Sequence, residues 1–211
     1  MGHVVLLGDS IFDNAAYVAG GPDVVRQLQR RLPANWRASL LAVDGAVTRG
    51  VAPQLARLPR DATHIVVSAG GNDALGASGV LAQSVGNVAE ALSRLETAQA
   101  RFARDYEEMA GLVSATGLPA ALCTIYDTPP SGPDYRLLRT ALAIFNDVVT
   151  RAAFGRGLGL IDLRLICAED SDYANPIEPG VQGGEKISAA IAAFAAGAWE
   201  GRSAVLATDL R

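Results

Sequence analysis

The sequence predicts a single three-layer α/β domain built on five parallel strands, and three observations predict it. Short apolar runs alternate with longer stretches of helical periodicity along the chain. The short runs are continuously apolar, as in strands buried on both faces of a sheet. Each is separated from the next by a helix-length segment, and right-handed crossovers then leave few topologies. With 211 residues, 50% of them hydrophobic and 19% charged, the chain is long enough to bury one substantial core.

The elements follow from their residues. The first strand is placed at residues 3–7, where Val4, Val5, Leu6 and Leu7 run without a polar break. A helix is expected over 22–32, with Val24, Val25 and Leu28 on its inner face. Residues 36–43 read as the second strand and 47–58 as a short helix. Branched residues place the third strand at 63–69. Helical spacing then runs from about 80 to 116, broken near Gly86. The fourth strand falls at 118–125, and three prolines and a glycine make 127–133 a loop. Leu138, Leu142, Phe145 and Val149 step along one face of a helix over 135–154. The fifth strand is expected at 158–163 and the last helix at 183–199. The domain is expected to span 1–200, with 201–211 as a C-terminal tail.

Composition narrows the function classes. The formal net charge is −4, and no basic stripe or polybasic segment suggests nucleic acid or an anionic membrane as partner. No apolar segment reaches the roughly 18 residues of a membrane span. No basic-then-apolar leader is evident, so the cytoplasm is the expected location. Cys123 sits in an apolar run and reads as core, whereas Cys167 reads as core or loop. No cluster of histidine, cysteine and carboxylate implies a metal. The GGPD at 20–23 lacks the lysine and spacing of a phosphate loop. No cofactor is expected.

In open parallel sheets, sites form beyond the carboxyl ends of the strands. Three such junctions stand out: Gly8-Asp9-Ser10, Val43-Asp44-Gly45-Ala46 and Gly70-Gly71-Asn72-Asp73. Each sets glycine beside a short polar residue, which favours a tight turn with exposed backbone N–H groups. A serine hydroxyl, a small-residue N–H and an asparagine amide at neighbouring strand ends suit acyl transfer. There the carbonyl oxygen gains negative charge, and uncharged donors fixed in advance stabilise it. Singly, each residue also has an ordinary role: Ser10 as a helix cap, Gly45 as a turn, Asn72 as a bridge within its loop.

LLGDS, DGA and GGND, in this order and at these spacings, resemble the first three conserved blocks of the SGNH/GDSL hydrolases. Those proteins are esterases, lipases, thioesterases and carbohydrate deacetylases on a flavodoxin-like α/β/α fold. The resemblance covers nearly the whole chain. It implies Ser10 as nucleophile, with the backbone N–H groups of Ser10 and Gly45 and the side-chain amide of Asn72 as the oxyanion hole. It also implies a small-molecule acyl ester or thioester as substrate. Asp9 reads as structural, bonding nearby N–H groups.

The fourth block departs from the family pattern, which supplies Asp-x-x-His ahead of the last helix. Here the stretch is NPIEPGVQGGEKIS. Aligned on the proline, the glycine and the helix start, it puts Glu178 at the histidine position and Asn175 at the aspartate position. The two histidines, His3 and His64, read as surface or strand-start residues at the wrong end of the sheet. At ~3.3 Å per residue, His3 should be about 20 Å from the site. Glu178 is therefore the candidate base. An exposed glutamate titrates near ~4.3, and burial among Pro176, Ile177 and Pro179 would raise it. A carboxylate favoured by the dipole of the last helix is an equal alternative. Asp172 is a further candidate base, and Asn175 a candidate to orient Glu178 or a water. Asp13 and Asn14 read as cleft or helix-start residues, and Asp73 as a brace for the Asn72 loop. Tyr126 and Asp127 would shape the acyl or alcohol pocket. Glu185 and Lys186 read as a solvated helix surface. A glutamate base favours good leaving groups, such as those of aryl esters or thioesters. Three functions stay open: a serine-dependent hydrolase, a catalytically impaired relative binding an acyl or carbohydrate ligand, and an acyltransferase.

Overall fold

The apolar runs become a five-stranded parallel sheet in the structure, a computed structural model that describes residues 1–197. The strands are β1 (Gly2–Gly8), β2 (Trp36–Leu40), β3 (His64–Ser68), β4 (Ala120–Cys123) and β5 (Gly159–Ile161), in the order β2-β1-β3-β4-β5. Within β1, Leu6 pairs with Leu40 on one side and Val66 on the other. Every residue of β1 is buried, as expected of a central strand covered on both faces.

Side chains alternate between two cores, following the period of two along a strand. Val5, Leu7, Val67 and Leu122 enter one core; Val4, Leu6, Val66 and Ala121 enter the other. The first core is closed by α4 (Val88–Ala115) and α5 (Tyr135–Gly155), through Tyr106, Met109, Phe145 and Val149. The short α2 (Val51–Leu55) adds Val51 to it. The second core is closed by α1 (Val24–Arg31) and α7 (Val181–Ala195), through Val24, Leu28, Ile187 and Ile191. Each such fully buried aliphatic side chain contributes about 1.5–3 kcal/mol. These are the three layers that the sequence predicts.

The strand order reverses at β1. The chain moves to one side to make β2, then crosses to the other side to make β3. A crevice opens where the order reverses, beyond the carboxyl ends of β1 and β3. Ser10 follows the first of these strands and Asn72 the second.

Several boundaries differ from expectation, each for a local reason. The Asn72 junction is not only a loop: it opens α3 (Gly71–Ala77). The long helix starts at Val88 because the Asn87 side chain accepts from Glu90 N at 2.9 Å. β2 stops at Leu40, because Leu41 N and Ala42 N both donate to the one Leu6 carbonyl. β5 stops at Ile161, because Asp162 caps α6 (Leu163–Ile166) by accepting from Arg164 N at 3.2 Å. Residues 173–179 form an antiparallel ribbon of β6 (Tyr173–Asn175) and β7 (Glu178–Pro179). The expected helix end at 199 and the tail at 201–211 lie outside the described residues. Cys123 and Cys167 are both buried and free.

The histidines sit at the amino end of the sheet, across its length from Ser10. His3 is not a surface residue: it is 2% exposed, with Nε2 2.7 Å from Ser39 Oγ and Nδ1 3.3 Å from Asp61 Oδ1. His64 packs against the rings of Trp36 and Phe194.

Candidate active site

The turn that carries Ser10 is held by its backbone. Gly8 has φ +119°, and a Cβ there would lie 1.7 Å from the Ser68 carbonyl oxygen. Only glycine lets β1 and β3 approach so closely at their ends. Asp9 N donates to that same Ser68 oxygen at 3.0 Å, and the Asp9 carbonyl accepts from Phe12 N and Asp13 N. Gln54 of α2 clamps Gly8 from the side, accepting from its N–H at 2.7 Å and donating to its carbonyl at 2.8 Å. Ser10 is thus presented by a fixed loop two residues past a clamped strand end. Its own N–H donates to no acceptor among the described residues.

Gly45 lies on the neighbouring loop with φ +76°. Its N–H is likewise without a protein acceptor among the described residues. Asn72, in the first turn of α3, ties the two loops together: its Nδ2 donates to the Ala46 carbonyl at 2.9 Å. The amide keeps a second hydrogen for a ligand. Asp73 braces the Gly45 loop rather than its own, accepting from Thr48 N at 2.8 Å and Thr48 Oγ1 at 2.9 Å.

Glu178 comes from β7 and is 5% exposed. The chain on either side of it is clamped. Tyr126 Oη donates to the Ile177 carbonyl at 2.8 Å, and Asn14 Nδ2 donates to the Pro179 carbonyl at 3.2 Å. The Asn14 oxygen also accepts from Val24 N at 3.0 Å, so one buried amide joins α1 to the Glu178 ribbon. Burial pushes the Glu178 carboxyl from 4.5 up to about 7. The Ser10 hydroxyl is close enough to pull it back toward the ionised form, and the Asp44 charge adds to the rise. Glu178 Oε2 is buried with no hydrogen-bond partner among the described residues. Asp9 is also pushed up to about 7, chiefly by burial. The Ile11 N–H and the Ser68 hydroxyl oppose that rise, and the Glu178 charge reinforces it.

Ser10, Asn72 and Glu178 line one cavity of about 160 Å³, together with Asp9, Tyr126 and Asp127. Gly45 does not line it. It lies on an exposed rim, where Asp44 N donates to Asp13 Oδ2 at 2.9 Å and Tyr17 Oη donates to Asp44 at 2.7 Å. Three expectations are corrected here. Asp172 does not line the cavity: it is fully buried, with Oδ1 2.8 Å from Lys186 Nζ. Lys186 is therefore the partner of a buried carboxylate and not simply a solvated residue, while Glu185 pairs with Arg31. The Asn175 amide oxygen accepts from Ile177 N at 2.9 Å, so it closes the ribbon turn and does not orient Glu178. Among the described residues, no group of three or more His, Cys, Asp and Glu could hold a metal ion. No described helix is long and apolar enough to cross a membrane.

Sequence reasoning missed the clamp at Gln54 and the specific tasks of Asn14 and Tyr126. Gln54 belongs to no motif. Asn14 and Tyr126 were visible only as polar residues near strand ends.

A flavodoxin-like α/β/α domain, with a serine turn and an asparagine at its switch-point crevice, is the class that this architecture defines. The chain belongs to the GDSL-like lipase/acylhydrolase family, whose profile matches residues 6–183. No curated protein sequence matches the chain significantly. Among solved structures, it is similar to an extracellular lipase from Streptomyces rimosus (TM-score 0.66, 17% identity, covering 90% of this chain and 98% of that one). It is similar to phospholipase A1 from Streptomyces albidoflavus NA297 (0.66, 19%, 92% and 99%). A lipase/acylhydrolase from Enterococcus faecalis is also similar (0.61, 19%, 97% and 100%). At these identities the likeness is one of fold.

Proposed function

We propose that the protein is a serine-dependent hydrolase of carboxylic esters or thioesters, with Ser10 as nucleophile and Glu178 as base. The observation that carries this reading is the one cavity at the switch point that Ser10 shares with the buried Glu178 carboxyl. Ionised Glu178 accepts the hydroxyl proton as Ser10 Oγ bonds to the acyl carbon. The Ser10 N–H and the free amide hydrogen of Asn72 within the cavity, with the Gly45 N–H at its rim, stabilise the oxyanion. Collapse breaks the bond to the leaving oxygen or sulfur, which takes the proton back from Glu178. Water then adds to the acyl-serine and gives its proton to Glu178. The second collapse releases the acid and returns that proton to Ser10.

A carboxyl titrating at about 7 is close in acidity to imidazolium, near ~6.5. It can therefore both take and return a proton near neutral pH. Phenolates and thiolates need less protonation on leaving than alkoxides, so aryl esters and thioesters are the favoured substrates.

The absence of histidine beside Ser10 favours a second reading, a catalytically impaired relative that binds an acyl ligand in the same crevice. A fluorophosphonate probe read by intact mass separates the two. One label per chain, lost in folded Ser10→Ala, is the result expected of the hydrolase. A folded wild-type protein that takes no label overturns that reading in favour of the second.

A further inference from the structure

The crevice at Ser10 opens onto a cavity of about 160 Å³ whose exposed wall is mostly hydrocarbon, with Asp9, Asn72, Asp127 and Glu178 among its polar lining. Ala74 and Leu75 come from α3, Leu95 from α4, and Leu138, Ala141 and Leu142 from α5. Water finds few hydrogen-bond partners against such walls, whereas an apolar guest removes their surface from solvent. An apolar cavity of roughly 150 Å³ accepts a benzene-sized guest, about six carbons. The rim outside the cavity has the opposite chemistry. Asp13, Tyr17 and Asp44 do not line the cavity, and the Asp44 charge is felt at Glu178.

We propose that this cavity is the acyl subsite and that it selects apolar acyl groups of about six carbons over acetyl. The leaving alcohol or thiol then departs across the acidic rim. The assignment rests on Ser10 as the attacking atom, because that decides which half of the ester meets the cavity. Ala141 is the specificity-determining position: a phenylalanine there would occupy space that the guest needs. Leu142→Ala would enlarge the same space.

The test is kcat/KM for 4-nitrophenyl esters from acetate to decanoate, in the wild type and both variants. Burying one methylene raises kcat/KM about fourfold, so hexanoate should exceed acetate by roughly 10²-fold in the wild type. Leu75 and Leu81 are exposed, so the gain per carbon flattens beyond hexanoate. Ala141→Phe should cut the hexanoate-to-acetate ratio at least ~10-fold, and Leu142→Ala should move the optimum to longer chains. A flat wild-type profile, or ratios unchanged in both variants, overturns the acyl subsite. If no ester of any length turns over, the Ser10 reading fails by itself, and binding decides the subsite. Tighter binding of hexanamide than of acetamide, lost in Ala141→Phe, then upholds it. Equal binding of the two amides overturns it.

Discussion

Replacing Glu178 with glutamine removes the proposed base while keeping the shape of the side chain. Glu178 is 5% exposed, and its neighbours Ile177 and Pro179 are held by Tyr126 and Asn14. The ribbon should therefore stay in place. General-base assistance is worth ~10²–10⁴-fold, so kcat/KM for an aryl ester at pH 8 should fall by that factor. The wild-type pH profile follows from the carboxyl titrating at about 7. About a tenth of the molecules carry ionised Glu178 at pH 6 and about nine-tenths at pH 8, so turnover should rise nearly tenfold between them. An ordinary exposed glutamate would give no rise over that range. The assay is initial-rate hydrolysis of 4-nitrophenyl hexanoate from pH 5 to 9, with thermal unfolding as a control for the fold. A Glu178→Gln variant that keeps turnover within about threefold of wild type, or keeps the limb near pH 7, refutes the reasoning.

Three further outcomes follow from the same geometry. Asn72→Ala removes one oxyanion donor, so kcat should fall ~10²–10³-fold with KM little changed; equal kcat would show that Asn72 only ties α3 to Ala46. Gly8→Ala drives a Cβ onto the Ser68 carbonyl at a φ of +119°, and urea unfolding should show a loss of about 3–5 kcal/mol. Asp9 is pushed from 3.8 to about 7, so its contribution to stability is fully present below pH 3.8 and is lost as pH rises toward 7. Between pH 5 and 8 the wild type should lose about 3 kcal/mol relative to Asp9→Asn; a constant difference across that range would place Asp9 in an ordinary ionised state.

The fold was legible because β1, β3 and β4 are short, apolar and buried on both faces, a pattern with few structural solutions. The position of the candidate crevice was legible for a related reason. Gly8-Asp9-Ser10 and Gly71-Asn72 end two adjacent strands, and those strands flank the point where the sheet order reverses. α3 was less legible, because GNDALGA carries two glycines that disfavour a helix by about 1 kcal/mol each. Its first turn is anchored instead by Asp73, which holds Thr48 on another loop. The Gln54 clamp and the Lys186–Asp172 pair were hidden for a different reason. Each joins residues distant in sequence through single polar contacts, and such contacts leave no periodic trace. Asn175 matched a family position by alignment, yet its oxygen is spent on a turn that only coordinates reveal.

Substituting a carboxylate for imidazole changes where charge goes in the proposed reaction. An imidazole base starts neutral and becomes a cation beside the oxyanion, so each charge stabilises the other. Glu178 starts as an anion and becomes neutral while the oxyanion forms, so one negative charge simply moves. Its starting place is poor: Glu178 is buried, Oε2 has no hydrogen-bond partner among the described residues, and the Asp44 charge disfavours its ionised form. Its destination is better, since the Ser10 and Gly45 N–H groups are without acceptors among the described residues and Asn72 keeps one amide hydrogen. The same burial that penalises ionised Glu178 thus favours proton transfer from Ser10, without a third residue to steer the base. In the proposed reaction the ribbon clamps at Tyr126 and Asn14 would supply the orientation that an aspartate gives to a histidine. Such a site depends more heavily on its oxyanion donors than a histidine site does, because no cation shares their task.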